Sequence, residues 1–468
     1  MVRLRIMTRL ILPRKIRYDA DVIIIGGGAS GLIAGQTLSR SNERVIIVEE
    51  KKLGGSIANS HTIPTRALLE TANSFNNAKI ASKFGVKGCN PSIDQNSALH
   101  WRNRAINSTG INNILHDELS GINIVKGHGH LINNKTVSIG LKRYTAPNII
   151  IATGSTTNMP DINGLNGISY LTPETLYHLK KIPSKIAIIG SGPKTYEHTQ
   201  ILQSLGVSVH IFEQHNHLLP LLDQEAGDIA QTILEKSGAH VNTLARLNKI
   251  EKLPSGVKIN YSNNNTTLSY TADALLICDN QTPAIDIGLD NAGIESNEHG
   301  IIVNKLLQTS QKHIFAIGSA ANIAISDGGT IFSGQVAAHN ILHRKKISYK
   351  SKIIPRVSFG DSEIAQVGST EHQIQMSGAM YQTAIAPINM VSRSMVSDYN
   401  NGFVKLIASH YGTILGATIV APHASEMLNE ITFAIQYKRR ACDIANTVHV
   451  FSSWSEAIRV AASKIKCI

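Results

Sequence analysis

Asp21-Val22-Ile23-Ile24-Ile25-Gly26-Gly27-Gly28-Ala29-Ser30-Gly31 is the stretch on which the fold turns. Asp21–Ile25 is a short apolar run bounded by glycine, the pattern of a strand buried on both faces of a parallel sheet. A complete G-x-G-x-x-G follows at once, and Leu32–Leu38 reads as a helix. A second strand, Val45–Val48, ends in Glu49. Each part has a physical reason. Gly26 permits the tight turn, Gly28 lets a pyrophosphate approach the backbone, and Gly31 lets helix and strand pack closely. Ala29 and Ser30 open the helix, whose free N–H groups and partial positive charge favour an anion. Glu49 is placed to accept a hydrogen bond from a ribose 2′-hydroxyl.

The pattern recurs. The strand Ile186–Ile189 leads into Gly190-Ser191-Gly192-Pro193-Lys194-Thr195, and the strand Val207–Phe212 ends in Glu213. In both copies the acid stands 23 residues after the first glycine. Two dinucleotide sites in one chain are therefore expected: Gly26, Gly28, Ala29, Ser30, Gly31 and Glu49 at the first, and Gly190, Gly192 and Glu213 at the second. Thr195 replaces the third glycine of the second copy. Its branched side chain is expected to push the helix off the strand and weaken binding. Glu213 would repel a 2′-phosphate, so NAD is expected over NADP.

The rest of the composition narrows the class. The chain has 468 residues, 42% hydrophobic and 17% charged, enough for about three domains at roughly 150 residues each. Four cysteines (Cys89, Cys278, Cys442 and Cys467) at no metal-knuckle spacing exclude a disulfide scaffold and a zinc ribbon. No apolar run approaches the ~20 residues that span a bilayer. The net charge is +12, and six cationic residues (Arg3, Arg5, Arg9, Arg14, Lys15 and Arg17) precede the first acid, Asp19. Half of the excess thus lies in a tail, and no basic face with interleaved aromatics speaks for nucleic acid. The tail reads either as a basic extension of a cytoplasmic protein, the preferred reading, or as a presequence directing the chain to the mitochondrial matrix. The histidines His210, His215 and His217 are better explained by the second dinucleotide fold than by a metal, and no metal site is expected.

Further landmarks follow in order: Leu53-Gly54-Gly55, Ile63-Pro64-Thr65-Arg66-Ala67-Leu68, Lys126-Gly127-His128-Gly129, Ile151-Ala152-Thr153-Gly154-Ser155 and Ile314-Phe315-Ala316-Ile317-Gly318. Then come Gly402-Phe403-Val404-Lys405-Leu406, Ile414-Leu415-Gly416-Ala417 and Trp454-Ser455-Glu456-Ala457. With the paired glycine turns, these make the chain resemble the two-dinucleotide flavoprotein disulfide reductases from about Asp19 to Ala462. That family includes dihydrolipoamide dehydrogenase, mercuric reductase and the soluble transhydrogenase. The resemblance implies an α/β fold of two Rossmann-like domains with a C-terminal α+β dimerisation domain. It implies a basic extension 1–18, an FAD domain 19–157, an NAD domain 158–281, a return segment 282–350 and an interface domain 351–468 of a homodimer. It adds Gly55, Gly129, Thr153, Gly154 and Ser319 to the FAD residues and Asn280 to the NAD side.

The resemblance also marks what is missing. The family passes a hydride from NADH to the flavin and then to two cysteines five positions apart; here those positions hold Ile57 and Thr62, neither of which forms a thiolate. The histidine that the second subunit lends as acid/base falls on Phe451, although its glutamate partner is kept as Glu456. His449 nearby reads as structural. The lysine flanking the flavin is Arg66; it can pair with Glu197, although arginine and lysine are not equivalent in such a site. The family's aspartate on the ribityl chain is Ser319, and its Gly-Arg segment is Asn280-Gln281. The expected chemistry is hydride transfer from NADH to FAD and on to a small diffusible acceptor, with Arg66 and Glu197 beside the flavin. The alternative is a non-catalytic FAD-binding homodimer. An ordinary dihydrolipoamide dehydrogenase is opposed by the missing cysteines.

Overall fold

A computed structural model describes residues 17–88, 90–108, 121–157, 160–179, 181–264, 266–278, 281–323 and 326–468. The N-terminal tail, Cys89 and Asn280 lie outside the described residues.

The first glycine turn joins the strand Val22–Ile25 to the helix Ala29–Ser39. All four strand residues are buried, since the strand is the centre of a five-stranded parallel sheet. Val45–Glu49 and Ile122–Lys126 lie on one side of it, Asn148–Ile151 and Ile314–Ala316 on the other. The last strand returns from far along the chain, so residues near 20 and 315 share one sheet. The helix Asp327–Leu342 that follows it packs on Ala29–Ser39, and a Cβ on its Gly334 would come within 2.3 Å of the Ser30 carbonyl oxygen.

The second glycine turn starts a four-stranded parallel sheet in the order His240–Asn242, Ser208–Phe212, Lys185–Ile189, Ala274–Ile277. Both faces are covered, and Ile186, Ile188, Val209, Ile211 and Leu276 sit in its core. Two crossing segments, Ser155–Thr157 and Gln281–Pro283, pair antiparallel and tie this unit to the first. Thr195 is fully buried, yet the turn keeps its shape. Gly192 has φ −75° and ψ −176° against −70° and 179° at Gly28, and Gly190 keeps a positive φ as Gly26 does. With Thr195 in the third glycine's place the turn residues keep the backbone conformation of the first copy, and the Thr195 hydroxyl is buried with no hydrogen-bond partner.

The C-terminal unit is a five-stranded antiparallel sheet, with Glu363–Gly368, Ile414–Ala421 and Phe403–Ser409 at its centre. The helix Ala424–Gln436 buries Met427, Leu428, Ile431 and Ala434 against it. This sheet meets the second unit at a buried charge cluster. Lys405, 2% exposed, places Nζ 2.7 Å from Glu225, 2.6 Å from Glu371 and 3.8 Å from Asp223. Asp223 also accepts from the Thr418 hydroxyl at 2.6 Å and from the Glu371 N–H at 2.9 Å. Burial opposes the Lys405 charge, but its bonds to Glu225 and Glu371 raise its pKa above the ordinary value. Removing one member of a buried pair leaves the others unneutralised. Lys405→Ala therefore faces three carboxylates across a seam, and a loss of about 3 kcal/mol, read as a lower denaturation midpoint, is expected.

Candidate functional site: a cleft spanning both glycine turns

One cleft of about 1680 Å³ runs along the carboxyl ends of the two parallel sheets, the place where such sheets bind ligands. Gly28, Ala29, Ser30, Glu49, Gly55, Gly129, Thr153, Gly154 and Ser319 line its first half, and Gly192 its second. Arg66, Glu197, Ile57 and Thr62 line the region between them.

The first turn is built by close approach. A Cβ on Gly31 would stand 2.0 Å from the Gly26 carbonyl oxygen, so only glycine lets the helix start this near the strand. Gly26 has φ +108°, and a Cβ there would meet the Ala152 carbonyl oxygen at 2.2 Å. Glu49 holds the loop with both oxygens, accepting from the Gly27 N–H at 2.7 Å and the Lys51 N–H at 2.7 Å. A Cβ on Gly28 would meet only Gly55 Cα, at 4.0 Å, so this side of the turn is open to a ligand. Nearby, the Thr153 hydroxyl is buried with no partner. A bare helix start, an open backbone cradle, a carboxylate and an orphaned hydroxyl fit a dinucleotide with phosphates and a ribose.

The second half differs from the sequence expectation. Glu213 is buried and is not among the cleft residues; its carboxylate accepts from the His215 N–H at 2.7 Å and from the His215 ring. His215 stands at the cleft in its place. Glu213 thus turns Oε1 onto its own loop, as Glu49 does at the Lys51 N–H, and differs from Glu49 in lying off the cleft. Gly190 shapes the turn without lining the cleft. The three histidines of this region are separately engaged. His210 stacks on Tyr270 at 3.8 Å, His215 meets Glu213, and His217 Nδ1 lies 2.7 Å from the Leu218 carbonyl oxygen. Among the described residues, no three His, Cys, Asp or Glu side chains are grouped to hold a metal.

Arg66 and Glu197 do not form the expected ion pair. The Arg66 guanidinium lies over the Phe359 ring, 3.0 Å from its centroid, and Glu197 accepts from the Phe359 N–H at 3.0 Å. Phe359 thus bridges the two through its ring and its backbone. Burial pushes the Glu197 carboxyl up to about 7, against the pull of the Phe359 N–H and of Arg66. Thr62 donates to the Asp327 carboxylate, which reaches it from the start of the helix Asp327–Leu342. Beside them, His61 lies between Glu174 and Lys194. Asp327, His61, Glu174 and Lys194 escaped the sequence reading. They come from distant segments, Asp327 standing 265 positions after its partner Thr62, and no local spacing joins them. Only Lys194, a cation inside a glycine turn, offered a signal.

Among the described residues, no cysteine or methionine lines the cleft. Cys278 is buried at the end of its strand. Cys442 and Cys467 are neighbours in the C-terminal unit, where the Cys442 N–H donates to the Cys467 sulfur at 3.1 Å. His449 packs 3.3 Å from Glu430, Glu456 accepts from the Ser453 N–H at 3.4 Å, and Phe451 is 80% exposed. Val448 and Val450 are exposed beside it.

Comparison with known proteins places this architecture. The chain matches the pyridine nucleotide-disulphide oxidoreductase family over residues 20–340 and that family's dimerisation domain over residues 354–462. It is 30% identical to a dihydrolipoyl dehydrogenase of Geobacillus stearothermophilus, with 95% of this chain and 96% of that one covered. It is 27% identical to a mercuric reductase of Bacillus cereus, covering 96% and 73%. Its fold superposes on the HOCl-induced flavoprotein disulfide reductase RclA of Escherichia coli in its Cu(II) complex. The TM-score is 0.84, with 24% identity and coverage of 96% and 99%. The chain belongs to the pyridine nucleotide-disulphide oxidoreductase family, whose members use FAD and NAD(P). The dimerisation domain supports a homodimer, and among the described residues no helix is long and apolar enough to cross a membrane.

Two outcomes follow from this geometry. Gly31→Ala must separate helix from strand, so the purified variant is expected to lose bound flavin and to melt at lower temperature than wild type. Glu197 binds its proton more tightly folded than unfolded. Its stabilising share is full below the ordinary value of 4.5 and is lost as pH rises through about 7. Glu197→Gln is expected to flatten the fall of the melting temperature across that window; an unchanged slope counts against a buried acid.

Proposed function

We propose that this chain is an FAD-dependent oxidoreductase that works without a dithiol, passing the hydride of NADH through FAD to a small diffusible acceptor. The observation that carries this reading is the pair Ile57 and Thr62 on the cleft wall, with Thr62 bonded to Asp327 rather than to any sulfur partner. FAD, when bound, supplies the two-electron chemistry, and the protein supplies position and electrostatics. Residues 19–157 and 282–350 hold it: Gly26, Gly28, Ala29, Ser30 and Gly31 form the phosphate turn, and Glu49 meets the ribose. Gly55, Gly129, Thr153, Gly154 and Ser319 line the remainder. Residues 158–281 receive NAD at the turn Gly190–Thr195, and residues 351–468 form the dimer interface. Arg66 and Glu197, joined through Phe359, set the charge beside the reacting ring. The preferred location is the cytoplasm, with the mitochondrial matrix as the alternative if the Arg-rich start of the chain is a presequence.

A second reading has its own observation. Glu213 is engaged by His215 and lies off the cleft, which supports an FAD-binding homodimer that turns nothing over. Anaerobic addition of NADH to the purified yellow protein separates the two. Bleaching of the flavin band is expected; a colourless protein, or a band that stays, selects the scaffold. Dihydrolipoamide turnover is expected at free-flavin background, and robust turnover would end the dithiol-free reading.

A further inference from the structure

The cleft wall carries a polar assembly that the proposed hydride path leaves unused. His61 Nε2 lies 2.7 Å from Glu174 Oε1 and 2.9 Å from Lys194 Nζ. The three groups come from three places. His61 precedes the helix Thr62–Ile80 of the first unit, Glu174 sits on the short helix Pro173–Leu176 of the connection, and Lys194 opens the helix Pro193–Ser204 of the second unit. All three line the cleft, and the imidazole is 13% exposed.

One ring nitrogen here faces both a carboxylate and an amine. If Lys194 holds its full complement of protons and donates to Nε2, the imidazole turns a lone pair toward Glu174 at 2.7 Å, which is repulsive. If the proton crosses the 2.9 Å gap, His61 becomes an imidazolium that donates to Glu174 beside a neutral amine. The two states carry the same charge and differ by one proton's position. Burial depresses the Lys194 pKa, while Glu174, Cys278, Asp327 and Glu197 oppose that shift. Glu174 is likewise opposed by burial but is held well below the usual carboxylate range by the His61 bond and charge. The other nitrogen of His61, Nδ1, has the Ser60 hydroxyl at 3.4 Å, beyond a strong bond. Once Nδ1 gives up its proton, the neutral ring keeps its Nε2–H on Glu174, which fixes the tautomer. Other titratable groups face the assembly: His198, Glu197, Arg66 and Asp327. Of these, His198 is held neutral, lowered to about 3 chiefly by burial.

We propose that His61, positioned by Glu174 and Lys194, is an acid–base centre of this cleft that delivers a proton from Nδ1 to the second substrate, an acceptor of the carbonyl or quinone class. The proposal rests on the reading of the chain as a flavin-dependent oxidoreductase and assigns its acceptor. The proton count selects the class. Exchange of a hydride between two nicotinamides needs no proton, so a proton-delivering centre would be idle in it. Reduction of a quinone balances as NADH + quinone + H⁺ → NAD⁺ + hydroquinone. NADH is oxidised by two electrons and the quinone is reduced by them. One added hydrogen arrives with the hydride, and the other is the proton from His61, which solvent restores.

The test uses the flavin-loaded protein with NADH and either a soluble benzoquinone or thio-NAD⁺ as acceptor. General acid catalysis is worth roughly 100-fold or more, so His61→Gln is expected to lose about that factor with benzoquinone and at least ten-fold less with thio-NAD⁺. Lys194→Met serves as the second variant should His61→Gln fold poorly; it is expected to lower quinone turnover and to keep the acceptor bias. A readout free of turnover is the ¹⁵N resonance of the His61 ring, which Glu174→Gln is expected to move. Equal losses with both acceptors, no quinone turnover by a wild type that NADH bleaches, or an unmoved ¹⁵N signal each overturn the proposal. A wild-type flavin that NADH does not bleach sinks the underlying reading instead, and is told apart by that step.

Discussion

The close approach of backbone to backbone at the first glycine turn is the constraint on which the rest depends. The Gly31 Cα faces the Gly26 carbonyl so tightly that no side-chain atom fits between them. That contact sets the helix Ala29–Ser39 directly over the strand Val22–Ile25 and leaves its first N–H groups bare at the cleft. Gly334 brings the helix Asp327–Leu342 onto the same helix start by a second close approach. Asp327 then reaches Thr62 only because that helix is packed there. Phosphate cradle and polar centre are therefore one packing problem, solved by a few missing methyl groups.

The centre of the cleft shows what can stand where a sulfur couple is expected. Thr62 and Asp327 share a hydrogen bond, Phe359 links Arg66 to Glu197, and His61 joins Glu174 to Lys194. Each polar group there has a partner, which is the condition for charge to persist where water is partly excluded. Proton-holding groups crowd this region, with the Glu197 carboxyl pushed up to about 7. Such crowding suits chemistry in which a proton accompanies an electron pair, and it has no counterpart at the first glycine turn, where neutral N–H groups and one carboxylate suffice.

The second nucleotide-binding unit diverges by small local steps. Thr195 enters a position that favours glycine, and the turn survives with an unpartnered hydroxyl. Glu213 keeps its place at the end of its strand but turns its carboxylate onto His215. Spacing along the chain is preserved in both cases while the polar contacts are redistributed. Lys405, with its three carboxylates, holds this unit to the C-terminal sheet and so limits how far it can move from the cleft.

From its residues alone the chain declared both strand–turn–helix units and their acids, and it shows Ile57 and Thr62 at the positions where the resemblance expects cysteines. Those features are set by neighbours a few residues apart, where steric limits and hydrophobic period act directly. Which way a carboxylate turns is not local: Glu213 and Glu49 have the same sequence setting, and only packing around His215 separates them. The Phe359 bridge and the His61, Glu174 and Lys194 assembly arise where three distant segments converge, Lys194 standing 133 positions after His61. No periodicity records such a meeting, because it is created by the docking of whole units against each other.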